Sequence, residues 1–320
     1  MITNRQQIID DSPPHRELFE EFIEAIDFRS EQTRKAYKGT IGRYIKYLED
    51  KNVLKPKESD LMKFKRYLRE KGNHGATIQL YVVSIRRFYK WLDRMGYYPD
   101  ISIDLRTEKI DPTFKRQPLT VDEAKKLLDY AKEHSSGDIV KLRNYTIIYL
   151  LLHLGLRTIE VARANFEDVR KEGDNHYLYV QGKGHTDKDD SIRLTPSALE
   201  VIDAYKKARK SEKGAMFTNH GHHKSSDRIT SKMVSQIVKK TLREINIDCR
   251  EITAHSLRHT CATLALANGA TLEEVMQLLR HKNIQTTMIY LHVTNRENNR
   301  SQDLVDKALT KAKKEEQNNE

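Results

Sequence analysis

The stretch Thr253-Ala-His-Ser-Leu-Arg-His-Thr260 sets an imidazole, His255, three positions before a guanidinium, Arg258. On a helix that spacing projects both side chains from one face. The pair suits a phosphate: an arginine fork grips two oxygens, and an imidazole donates a hydrogen bond or moves a proton. Three further stretches offer matching chemistry. Leu154-Gly155-Leu156-Arg157 brings a second guanidinium, with Glu160 one helical turn on to orient it by a charge-assisted hydrogen bond. Gln181-Gly182-Lys183-Gly184 brings a lysine between glycines that allow close approach of the backbone to a ligand. Leu278-Leu279-Arg280-His281 brings another imidazole, and Tyr290 follows it nine positions later.

Each stretch alone has a plainer reading. An Arg157–Glu160 spacing is an ordinary helix ion pair of a few tenths of a kcal/mol. A lone Gly-Lys-Gly is a common turn, and Lys188, nearer the hairpin tip, rivals Lys183. Fifteen tyrosines make any one of them structural by default, and only its distance from His281 singles out Tyr290. The ordered set is what carries information. Arg157, Lys183, His255, Arg258, His281 and Tyr290 together resemble the catalytic signature of the tyrosine recombinases, the phage-integrase family, and among them the two-domain Xer-type members. The resemblance spans roughly residues 15 to 300. It departs at Arg280, where the family usually carries glycine, which enlarges the side chain next to His281 and leaves the His-to-Tyr spacing intact.

The chemistry open to these residues is phosphoryl transfer. Arg157 and Arg258 can neutralise non-bridging oxygens as charge builds at phosphorus, and His255 and His281 can add hydrogen bonds. A tyrosine of ordinary pKa, ~10, needs a base or nearby cations to act as nucleophile, and His255 is the expected base for Tyr290. The resemblance implies the rest: Lys183 protonates the departing 5′ hydroxyl, a 3′-phosphotyrosyl bond conserves the phosphodiester energy, no cofactor or metal takes part, and a homo-tetramer monomeric in solution assembles on two double-stranded DNA sites. Three rivals remain on the residues alone. They are a type IB topoisomerase, a non-catalytic DNA-binding protein of the same fold, and a basic helical adaptor that binds no DNA.

Length and charge bound the elements that must position these groups. A chain of 320 residues fits two domains, and a net charge of +11 with pI near 9.3 suggests a polyanionic partner, nucleic acid before membrane. Cys249 and Cys261 form no metal or C-x-x-C spacing, which fits a reducing cytoplasm. Met1-Ile-Thr-Asn-Arg5 lacks a signal-peptide pattern, and the apolar run Tyr145 to Leu152 is far short of the ~20 residues of a membrane helix. His220-Gly-His-His223 reads as a polar loop rather than a metal site.

The fold expected is mainly α: an N-terminal helical bundle over residues 15–100, a linker over 101–118, an α-rich catalytic domain with a small β-sheet over 119–300, and a tail over 301–320. Helical stripes at Tyr37, Ile41, Tyr44, Ile45 and Leu48, at Leu61, Phe64 and Leu68, and at Ile78, Val82, Ile85, Tyr89 and Leu92 require about four packed helices. Arg86, Arg87, Lys90 and Arg94 share the polar face of the last, and Lys35, Lys38 and Arg43 decorate an earlier one. Such a face is solvated or lies on DNA phosphates, and the resemblance, which makes this the core-binding domain, favours DNA. Thr120 and Glu123 form a T-x-x-E capping box that opens the second domain, and Thr271 and Glu274 form another. Tyr177–Val180 and Ser191–Leu194 read as strands, and Pro196 as a helix start. Leu304, Val305, Ala308 and Leu309 give the tail a short amphipathic helix, which by resemblance docks on a neighbouring protomer.

Overall fold

The computed structural model describes residues 5–28, 30–108, 117–182, 187–220, 227–247 and 251–290. Two compact units divide the chain, Met1–Thr113 and Phe114–Glu320.

The first unit holds α1 (Arg5–Asp11), α2 (His15–Ala25), α3 (Glu31–Asp50), α4 (Glu58–Glu70) and α5 (Gly75–Met95). Every residue of the three apolar stripes named above is buried. At about 1.5–3 kcal/mol per large apolar side chain, these stripes hold the bundle together. Two pairs of hydroxyls inside it bond each other: Tyr44 and Tyr89 share a hydroxyl–hydroxyl bond of 2.8 Å, and Thr40 and Ser84 one of 2.7 Å, both joining α3 to α5. Ser30 caps α3 by accepting from the Thr33 N–H, and Gly96 ends α5 in a left-handed turn. Arg86, Arg87, Lys90 and Arg94 all lie exposed on α5. The Arg87 guanidinium sits 5.5 Å from the ring centroids of both Phe28 and Tyr37, which holds it out at the surface.

Residues 101–108 belong to this unit rather than to a free linker. Leu105 is buried in the bundle core, Lys65 Nζ donates to the Arg106 carbonyl at 2.6 Å, and Glu108 pairs with Arg69 at 2.6 Å. An apolar anchor, a bond to a backbone carbonyl and ion pairs at Glu108 leave no periodicity, so the segment reads as a connector.

His15 opens α2 inside an aromatic box, 4.8 Å from Tyr98 and 5.8 Å from Tyr89, with neither ring nitrogen partnered among the described residues. Burial, aided by the charge of Lys55, lowers its pKa to about 4. The unfolded imidazole takes its proton near 6.5, so below that pH the unfolded state binds more protons and stability is lost as pH falls toward 4. Between pH 7 and 5 the loss is expected to be about 2 kcal/mol. Thermal unfolding of the full chain at both pH values checks this: His15→Phe should remove most of the pH dependence of the first unit's transition. An unchanged dependence would assign it to other groups.

The second unit begins with α6 (Val121–Glu133), α7 (Ile139–His153) and α8 (Thr158–Arg163), continues through a small sheet, and ends with α9 (Pro196–Arg209), α10 (Ser231–Glu244), α11 (Ala254–Ala267), α12 (Leu272–Leu279) and α13 (Gln285–Met288). The α7 helix is the hub: Thr146 to Leu152 are all buried, and α6, α9 and α11 pack around them. Thr120 and Glu123 close the expected capping box on α6, as Thr271 and Glu274 do on α12. Thr260 on α11 accepts from the Leu119 N–H at 2.8 Å, tying that helix to the unit's first residues.

The sheet is antiparallel in the order β1 (Val169–Glu172), β2 (Asn175–Val180), β3 (Asp190–Leu194), with Val169 opposite Leu178 and Leu178 opposite Ile192. The sequence reading found β2 and β3 but not β1. Arg170, Lys171 and Glu172 are exposed, so this edge strand shows no apolar alternation; backbone pairing holds it to β2, with the Arg170 guanidinium over the Tyr179 ring and the Tyr179 hydroxyl donating to Glu172.

Candidate active site

The turn between α7 and α8 starts the site. Gly155 has φ +55°, and a Cβ there would meet Leu279 Cδ2 at 2.7 Å and Cys261 Sγ at 3.3 Å, so only glycine fits. Its carbonyl oxygen points at two guanidiniums, accepting from Arg258 Nη1 and, at 3.4 Å, from Arg280 Nη2. Two residues on, Arg157 is the N-cap of α8. Glu160 bonds it twice: Oε2 accepts from the Arg157 backbone N–H and Oε1 from Nη1, each at 2.7 Å. A capping box and a side-chain ion pair are thus made by one carboxylate, which fixes the arginine fork.

Arg258 lies on α11, 2% exposed, with Nη1 donating to the Gly155 carbonyl and Nη2 to that of Leu279. Burial, then the charges of Arg157 and Arg280, bring its pKa down to about 9. Three guanidiniums, those of Arg157, Arg258 and Arg280, are therefore gathered around one buried carboxylate. Burial would raise the Glu160 pKa, but Arg280, the Arg157 N–H and the other charges outweigh it and keep the group ionised. Two positive charges remain in excess, in a place where water screens poorly. Such a site attracts an anion.

His281 follows Arg280 directly. Its backbone N–H donates to the Met276 carbonyl, and Nδ1 shares a 2.9 Å bond with Thr287 Oγ1, which sets the ring plane. Burial first, then Arg258, Arg157, Arg280 and His255, hold its pKa down to about 4, so it is neutral at physiological pH. His255 stands exposed in the first turn of α11, its N–H on Thr253 Oγ1.

Tyr290, just after α13, is 3% exposed, in one apolar cluster with Ala262, Val275 and Leu279. Burial pushes its pKa up to about 12, while Arg258 and Arg157 pull the other way. The hydroxyl bonds His259 Nδ1 at 2.7 Å. Sequence reasoning named His255 as the base for Tyr290; His259, one turn further along α11, is the imidazole that the structure puts in hydrogen-bond contact with that hydroxyl. Its ring meets that of His255 edge-on, 5.0 Å between centroids. The signal was present in the i, i+4 spacing of the two histidines.

The structure thus brings Arg157, Glu160, Arg258, His281 and Tyr290 to one place, with His255 at its rim. Lys183 lies outside the described residues. Its rival Lys188 is engaged elsewhere, Nζ paired with the buried Asp168. His220 bonds the Tyr205 hydroxyl at 3.0 Å, and residues 221–226 lie outside the described set.

Known proteins share this arrangement of domains. The phage integrase family model matches residues 117–297, and the phage integrase N-terminal SAM-like domain model matches residues 17–96. Among curated relatives, the tyrosine recombinase XerC of Caldanaerobacter subterraneus is 32% identical over 311 residues, covering 88% of this chain and 83% of the relative. The tyrosine recombinase XerD of Listeria monocytogenes is 30% identical over 298 residues, covering 87% and 94%. Among solved structures, the XerH recombinase bound to palindromic difH substrate in a post-cleavage complex superposes with a TM-score of 0.69 at 18% identity, over 85% of this chain and 80% of that one. A lambda integrase tetramer bound to a Holliday junction gives 0.68 at 18%, over 92% and 82%.

Proposed function

This chain belongs to the phage integrase family and is a site-specific tyrosine recombinase of the Xer-like type, and on that premise we propose that it cuts and rejoins DNA through a 3′-phosphotyrosyl bond to Tyr290. The observation that supports it most is the meeting of Arg157, Arg258, His281 and Tyr290 in one electropositive site.

In this reading the Tyr290 oxygen attacks phosphorus, the bond from phosphorus to the 5′ oxygen breaks, and the phosphate stays on the 3′ side, linked to Tyr290. Arg157 and Arg258 bind the non-bridging oxygens, whose charge grows in the transition state. Neutral His281 donates its one N–H there. The tyrosyl proton leaves through the imidazole at its hydroxyl, His259, or through His255, and Lys183 supplies a proton to the departing 5′ hydroxyl. A 5′ hydroxyl from another strand then attacks the phosphotyrosine, restores the phosphodiester and returns the proton. The phosphotyrosyl bond conserves the energy of the phosphodiester, so this scheme needs neither a metal nor ATP.

The first unit, in the same reading, is the core-binding domain, with Arg86, Arg87, Lys90 and Arg94 on DNA phosphates, so that affinity falls steeply with salt. Four copies assemble on two duplexes, and residues 301–320 of one copy dock on the next. A hollow of about 470 Å³ lined by Ala124, Leu128, Leu152, Leu264 and Leu278 of the second unit suits an amphipathic segment. None of the helices among the described residues is long and apolar enough to cross a membrane, and the cytoplasm is the compartment that fits a DNA substrate.

A plasmid carrying two copies of the cleaved sequence tests the outcome of the chemistry. The expected products are resolved or inverted circles, according to site orientation. Relaxation of supercoils without exchange would instead assign a type IB topoisomerase activity.

A further inference from the structure

The residue that ends α12 is Arg280, and its backbone is left-handed, φ +54° and ψ +51°. Glycine takes that conformation freely, whereas a side chain there is strained. The arginine is nevertheless deeply engaged. Its side chain is 4% exposed, and Nη2 donates to Glu160 Oε2 at 2.7 Å while Nη1 donates to the Leu278 carbonyl at 2.5 Å. Its own carbonyl oxygen accepts from Arg157 Nη2 at 3.2 Å. Its Nε is buried and has no partner among the described residues. Arg280 therefore reaches Arg157 twice, once through the shared carboxylate and once through its backbone.

We infer that Arg280 is a positioning residue for the phosphate site: it shares Glu160 with Arg157, locks the Arg157 fork, and raises the positive charge of the site to match the transition state. The charge argument is simple. A phosphodiester carries one negative charge, and the five-coordinate phosphorus of the transition state carries two. Glycine at position 280 would leave two guanidiniums against one carboxylate, a balance of one. Arginine makes it two. The added charge attracts the doubly charged transition state more than the singly charged bound diester, so it favours the transition state over bound DNA.

This inference rests on the phosphoryl-transfer reading of the site. Its test is single-turnover formation of the covalent adduct on a nicked duplex at saturating protein, beside the dissociation constant for the uncut duplex. Arg280→Gly relieves the backbone strain and removes the guanidinium. It is expected to slow adduct formation at least tenfold while the dissociation constant stays within twofold. Arg280→Lys restores the charge without the fork and should recover part of the rate. Arg280→Met, similar in length and uncharged, carries the same expectation as glycine should Arg280→Gly melt early. A rate within twofold of the parent, a rate and affinity that fall together, or a lysine variant no faster than the glycine one would each overturn the inference. A parent chain that forms no adduct would overturn the function along with it, whereas a competent parent with an unaffected glycine variant overturns the role of Arg280 alone.

Discussion

Arg258→Lys is expected to lower the single-turnover cleavage rate by roughly 10²-fold, and Arg258→Ala by roughly 10³-fold. The difference between the two follows from geometry. Arg258 is buried, and its two terminal nitrogens are anchored to the carbonyls of Gly155 and Leu279, on two separate elements. Lysine keeps the charge but cannot span both acceptors and a phosphate oxygen. Alanine also removes the Leu279 carbonyl's bond to Arg258, at about 1–3 kcal/mol for a buried group left unsatisfied, and leaves the Gly155 carbonyl with the long 3.4 Å bond from Arg280. Arg258→Ala should therefore melt earlier as well as react more slowly, while Arg258→Lys separates the two effects. Rates of adduct formation, paired with thermal midpoints, check both. A lysine variant at the parent's rate would remove Arg258 from the phosphate site.

Tyr290→Phe has a larger expected effect, a loss of cleavage of roughly 10⁴-fold or more, because no other group in the site replaces the attacking oxygen. Stability should change by about 1 kcal/mol or less. The ring keeps its place in the apolar cluster of Ala262, Val275 and Leu279, and the bond to His259 is lost. Binding to duplex DNA should stay near the parent's, since the hydroxyl is buried in the free chain and carries no charge there. Gel-shift titration beside an adduct assay checks the pair of expectations. An adduct that survives the substitution moves the nucleophile elsewhere.

Much of this was legible in the sequence, for physical reasons that differ by element. The stripes of α3, α4 and α5 were plain because one buried face repeats at the helical period, and every stripe residue is buried. The capping boxes of α6 and α12 were plain because they are local, four residues each. The ordered polar set was plain through its resemblance to the tyrosine recombinase signature, since each of its stretches alone has a simpler reading. Other features depend on what lies across the fold. An exposed edge strand such as β1 leaves no apolar trace. Residues 101–108 hold to the bundle by Leu105 and ion pairs to α4, contacts with no period. The sharing of Glu160 between Arg157 and Arg280 needs two segments 120 positions apart, together with a left-handed backbone at Arg280 that its residue type does not announce. His259 was in view inside the same eight-residue stretch as His255, yet its bond to the Tyr290 hydroxyl depends on a residue 31 positions further on.

The central claim is that Tyr290 carries the cut strand, and direct mapping of the adduct tests it. The protein is incubated with DNA, denatured and digested with trypsin, and the peptide bearing nucleotide is identified together with the chemistry of the DNA end. The account predicts one modified peptide, containing Tyr290, joined to a 3′ phosphate, with a free 5′ hydroxyl on the other fragment. An adduct on a different residue, or one joined to a 5′ phosphate, would contradict it.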